Sequence, residues 1–88
     1  VPTEIIYAVA QSNYTLIKTS TDKFMLSTTL GVIEEKLIPF GFFRLHRSYL
    51  ANVSKIDAIE EDHVMIGGEN IPISKKQKQD LLNLITQL

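Results

Sequence analysis

Apolar positions in the first part of the chain come in short runs separated by turn-forming residues. Ile5-Ile6-Tyr7-Ala8-Val9 is a run with β-branched residues and predicts a strand. Gln11-Ser12-Asn13 is turn-forming, and Tyr14 to Thr19 reads as the returning strand. Ser20-Thr21-Asp22 is a second turn, and Lys23 to Leu26 completes a three-strand meander. The period then changes. Leu30, Ile33 and Leu37 share one face at helical spacing, with Glu34, Glu35 and Lys36 outside and Ser27, Thr28 and Thr29 as candidate N-caps. Pro39 and Gly41 end that helix.

Extended segments return beyond it. Phe42 to Leu45 and Tyr49 to Val53 flank His46-Arg47-Ser48. Ile56 to Ile59 and His63 to Ile66 are strands around a Glu60-Glu61-Asp62 turn. Gly67-Gly68 is a two-residue hairpin signal, and Glu69 to Ile73 pairs back, with Pro72 marking an edge strand. Ser74 caps a last helix whose apolar stripe is Leu81, Leu82, Leu84, Ile85 and Leu88. The fold class predicted is mainly β, built from short antiparallel strands with one short inserted helix and one C-terminal helix. No linker, repeat or low-complexity segment interrupts the pattern, so residues 1–88 form one domain.

Composition narrows the class. Hydrophobic content of 44% with 22% charged residues is that of an ordinary globular domain. With no cysteine, disulfides and thiolate metal sites are excluded. No apolar run can cross a bilayer as a helix and no signal peptide is visible, so a cytoplasmic location is expected. The chain opens Val1-Pro2-Thr3 without an initiator Met, and the expectation is a domain cut from a longer protein.

Net charge is -1, which argues against a nonspecific nucleic-acid binder. Its distribution is more informative. Lys36 to Ile56 contains no Asp or Glu and holds Lys36, Arg44, Arg47 and Lys55. Asp57, Glu60, Glu61, Asp62 and Glu69 then form an acidic block, followed at once by Lys75, Lys76 and Lys78. A basic face on a nearly neutral molecule is therefore expected.

Candidate chemistry concentrates in the acid-free window. Arg and Asn can read base edges with paired hydrogen bonds, and Arg47 can present two donors to guanine. Arg44 alternates with Phe43 and Leu45, so it is either structural or phosphate-facing. His46 is expected to be a hydrogen-bonded, half-buried histidine. Asn52 should stabilise a strand end or turn, and His63 should simply be exposed. An enzyme is not expected and no cofactor is implied. Two distant histidines without cysteine make neither a zinc site nor a Cys–His pair. Ser48 lacks a nucleophile-elbow context, the acidic block lacks calcium-loop spacing, and Gly67-Gly68 is a turn rather than a phosphate loop.

Phe43 to Asn52, taken with Phe42 before it, resembles the "F-x-R-x-H-R-S-x-x-x-N" core of the LytTR DNA-binding family. Three further pieces follow the family pattern in order. Ile5 to Tyr14 resembles its "I-x-Y-I-E-A-x-G-N-Y" opening. Thr29 to Leu37 resembles its short "S-L-x-x-L-E-x-x-L" helix, and Ile71 to Lys76 its closing "I-P-V-S-R-R". The departures are Ala10 in place of the acidic-then-small pairing, Ser12 for Gly, Ala51 for Val, and Lys75-Lys76 for Arg. Lysine cannot make arginine's planar two-pronged contact, so phosphate contact is what that pair retains.

The resemblance implies small stacked antiparallel sheets that bind double-stranded DNA through loops. It implies the output domain of a bacterial response regulator acting on paired direct repeats, with a homodimer possible in the full-length protein. Carried onto this sequence, the contacting positions are Asn13 and Tyr14, the Arg47 neighbourhood including Arg44, and Lys75 and Lys76. The other reading that the residues allow is a β-rich interaction or dimerisation module that binds DNA weakly.

Overall fold

The computed structural model describes residues 4–86. Strands and helices follow the order β1 (Ile5–Gln11), β2 (Tyr14–Thr19), β3 (Lys23–Leu26), α1 (Leu30–Leu37), β4 (Phe42–His46) and β5 (Tyr49–Asn52). They continue with β6 (Ile56–Ile59), β7 (His63–Ile66), β8 (Glu69–Pro72) and α2 (Lys75–Thr86). Single 3-10 turns at Ile38–Phe40 and Val53–Lys55 precede β4 and β6. The mainly β expectation with two helices holds.

All pairing is antiparallel, in a five-stranded sheet ordered β3-β2-β1-β5-β4 and a three-stranded sheet ordered β6-β7-β8. Pro72 does lie on the edge strand β8. Gly67 and Gly68 both take positive φ, 57° and 81°, the backbone a two-residue hairpin needs.

Strand β1 and its neighbour β5 are covered on both faces, which explains the unbroken apolar run of β1. Ala8, Leu50 and Phe42 pack with Leu30, Ile33 and Leu37 of α1 on one side. Tyr7, Val9, Leu45 and Ala51 pack on the other with Val64, Ile66 and Ile71 of the small sheet and Leu81 of α2. Ile6 joins Tyr7 on this second side because the β1–β2 register shifts between Ile5 and Tyr7. A bulge there breaks strict alternation.

Local signals set the helix starts. Thr29 caps α1, its hydroxyl accepting from the Val32 N–H at 3.3 Å. Ser74 caps α2 by accepting from the Gln77 N–H at 3.3 Å. The stripe expected on α2 is narrower than the pattern suggested. Leu81 is fully buried and Ile85 half-buried, whereas Leu82 and Leu84 are exposed; Leu88 lies outside the described residues. The helix packs chiefly on β4, through Leu81 and Ile85, which leaves Leu82 and Leu84 facing outward.

Candidate nucleic-acid interface

Three segments far apart in sequence meet at one end of the five-stranded sheet. β1 pairs with β5, bringing Val9 opposite Tyr49, and the Ala10 N–H donates to the Ser48 carbonyl at 2.8 Å. This sets the β1–β2 turn at Ser12-Asn13 beside the β4–β5 turn at His46-Arg47-Ser48. The Ser74 N–H donates to the Leu45 carbonyl at 3.2 Å and brings the β8–α2 joint to the same place. Sheet order produces this meeting, since β1 and β5 are separated by four other elements.

The β4–β5 turn is held at every carbonyl. Arg44 donates through Nε to His46 O at 2.9 Å and through Nη2 to Arg47 O at 2.6 Å. Ser48 O takes the Ala10 N–H. His46 Nδ1 accepts from the Ser48 N–H at 3.2 Å, and its ring meets Tyr49 edge-on with centroids 5.9 Å apart. His46 is thus the half-buried, hydrogen-bonded residue expected. Arg47 projects from this frame, exposed, and its side chain makes no hydrogen bond or ion pair among the described residues.

Arg44 differs in kind. It is half-buried, and its third nitrogen, Nη1, pairs with Glu34 of α1. The window free of acids in sequence is therefore not free of them in space. Of the two readings for Arg44, the contacts describe the structural one. Glu34 and the Ala10 backbone are the participants sequence reasoning missed. The available signal was alternation. Arg44 must lie opposite Phe43 and Leu45, on the face that α1 covers.

Asn13 lies exposed at the β1–β2 turn, and Tyr14 is 47% exposed rather than core. Ser12 takes φ 55°, in the left-handed region where a non-glycine residue costs about 1–2 kcal/mol. This is the turn position where the family pattern has glycine. Lys75 is exposed at the first residue of α2. Lys76 pairs with Asp80 at 3.3 Å across one helical turn, and 83% of its side chain remains exposed. An exposed pair of this type contributes little, so it does not hold the lysine back. Both cations stand at the helix end whose dipole favours an anion.

Asn52 is buried and supports the strand end as expected. Its amide donates to Ile5 O at 2.9 Å, and its Oδ1 accepts from the N–H and hydroxyl of Ser54 at 3.2 and 2.8 Å. Two expectations need correction. His63 is half-buried, not simply exposed, with Nδ1 2.8 Å from Asp62 Oδ1. That hydrogen bond, with a smaller contribution from the Lys78 charge, holds the Asp62 carboxyl below the usual carboxylate range. The charge segregation also fails to carry into space. Ile73 N–H donates to Asp62 O at 3.1 Å and Lys78 Nζ to Glu61 O at 3.2 Å, so the acidic turn lies beside the start of α2.

A family model described as the LytTr DNA-binding domain matches residues 1–86. The chain is 33% identical to the sensory transduction protein LytT of Bacillus subtilis, a match covering 93% of this chain and 36% of that protein. It is 35% identical over 57 residues to the transcriptional regulatory protein YpdB of Escherichia coli, covering 65% of this chain and 23% of that protein. The chain thus spans about a third or less of the length of these curated relatives. A LytTr DNA-binding domain from Bacillus cereus superposes with a TM-score of 0.84 at 24% identity, covering 96% of this chain and 83% of the other, a likeness of fold. The chain belongs to the LytTR family of DNA-binding domains. Among the described residues no helix is long and apolar enough to cross a membrane.

Proposed function

We propose that this chain reads a specific site on double-stranded DNA as the output domain of a bacterial two-component response regulator, acting in the cytoplasm. The observation that carries the proposal is Arg47, an exposed arginine without a partner among the described residues, on a turn whose carbonyls are all held. A rigid backbone lowers the entropy lost when a long side chain settles on a base. Arg47 contacts guanine O6 and N7, the pairing most suited to a guanidinium. Lys75 and Lys76 hold phosphates, and Asn13 and Tyr14 position or read from the neighbouring turn. In a full-length regulator, two such domains occupy paired direct repeats, with dimerisation supplied by the rest of the protein.

The test is a gel shift against a pool of genomic fragments at rising salt. Site-specific reading retains a small subset of fragments after the bulk is released, because base contacts add to the salt-sensitive phosphate term. Release of all fragments together contradicts it.

One observation favours the second reading, an interaction module. An apolar groove of about 620 Å³ runs between α2 and the β4 edge, lined by Ile38, Phe43, Val53, Leu84 and Ile85 among others. A domain that binds protein there and DNA only weakly would show no retained fragments in the same gel shift.

A further inference from the structure

Glu34 lies outside every segment expected to touch DNA, yet through Arg44 it is tied to the turn that carries Arg47. Arg44 stands on β4 and Glu34 on α1, and their side chains are each about 30% exposed. The guanidinium contacts three separate groups: the Glu34 carboxylate, the His46 carbonyl and the Arg47 carbonyl. A guanidinium is planar, so fixing one edge against a carboxylate fixes the direction of the remaining N–H groups. Glu34 in turn belongs to a helix anchored by the buried residues Leu30, Ile33 and Leu37. A rigid line therefore runs from the α1 packing face through Glu34 and Arg44 to the backbone of residues 46 and 47.

We infer that Glu34, acting through Arg44, is a positioning residue for DNA recognition: it fixes the β4–β5 turn in the geometry that lets Arg47 reach a base. This inference rests on the reading of Arg47 given above. It has a consequence opposite in sign to simple electrostatics. Glu34 is a negative charge behind a surface that binds a polyanion. By charge alone its removal strengthens binding to any duplex. As a positioning residue, its removal weakens binding to the specific site. The same contrast separates positioning from direct contact by Arg44. An Arg44 released from Glu34 and free to meet phosphate would tighten binding.

The experiment uses the 88-residue chain and a duplex selected by it from a randomised pool, with a scrambled duplex of equal length. The parent, Glu34→Gln, Arg47→Ala and the double variant are titrated with each, and melting is followed in parallel. Arg44→Lys is the second probe, since it keeps the charge and cannot span three acceptors. Glu34→Gln is expected to bind the selected duplex about fivefold more weakly, the coupling typical of residues in contact, while binding to the scrambled duplex holds or tightens. In the Arg47→Ala background the loss should vanish, because Glu34 then has no base contact left to position. Arg44→Lys should weaken selected binding as Glu34→Gln does. If Glu34→Gln binds the selected duplex as tightly as the parent or more tightly, or weakens it equally with and without Arg47, the positioning role is overturned while base reading by Arg47 stands. If Arg47→Ala alone binds like the parent, the base-reading role falls and this inference falls with it.

Discussion

Arg44 commits each nitrogen of its guanidinium to an acceptor of the protein and leaves Arg47 as the outward cation of the same turn. The two arginines are three residues apart and sequence alone left both open as contacts. What separates them is Glu34, ten residues before Arg44 in the chain and adjacent to it only because α1 packs on that sheet face. No local pattern reports such a neighbour. Asn52 is the opposite case. Its amide type and place at a strand end foretold a structural role, and the structure supplies three hydrogen bonds for it. Asn52→Ala leaves the half-buried Ile5 carbonyl and the Ser54 groups without their partner. The expected cost is about 1–3 kcal/mol of stability, seen as a lower urea midpoint with an unchanged m-value. A midpoint equal to the parent's would mean that water replaces the amide without loss.

At the scale of elements, strands were legible because turn residues punctuate short apolar runs, and the Gly67-Gly68 hairpin was legible from its composition. The helix α2 was legible in position but not in facing. Four apolar residues lie close together in its second half, and only the neighbouring sheet decides which are covered. Leu81→Ala should cost about 2–5 kcal/mol, as for a fully buried leucine. Leu82→Ala should stay within roughly 0.5 kcal/mol, as for a surface position. Equal losses in thermal melts would contradict this facing. The start of the same helix carries a second expectation. Replacing Lys75 and Lys76 together by alanine should weaken binding to all sequences alike and lower the slope of log K against log salt by about 1 to 2. An unchanged slope would return both lysines to ordinary surface residues.

At the scale of the whole molecule, the fold assembles one surface from three turns that the sequence scatters over some sixty residues. The resemblance placed those turns in a family, but the sheet order that joins them cannot be read from period or composition. The same order ties the two sheets together through Tyr7, whose hydroxyl donates to both Glu69 oxygens at 3.1 and 3.0 Å. Burial first, and then the Glu69 hydrogen bond and charge, push the Tyr7 phenol from its ordinary 10.0 up to about 12. A phenol raised in the folded state contributes stability that is complete below pH 10.0 and is lost as pH rises toward 12. Tyr7→Phe should therefore flatten the alkaline loss of stability in that window, measured by urea midpoints at about pH 9 and about pH 11.

Arg47 is proposed as the base-reading side chain of a pinned turn, and a binding titration of Arg47→Ala against selected and scrambled duplexes tests that role most directly. The predicted result is a loss of about 1–3 kcal/mol on the selected site, a smaller loss on the scrambled one, and an unchanged melting temperature because the side chain is exposed. Arg47→Lys should restore the charge but not the two-pronged contact, and so should recover the scrambled affinity more fully than the selected one. Parent-like affinity of Arg47→Ala for the selected duplex, or a loss traced entirely to unfolding, would contradict the account.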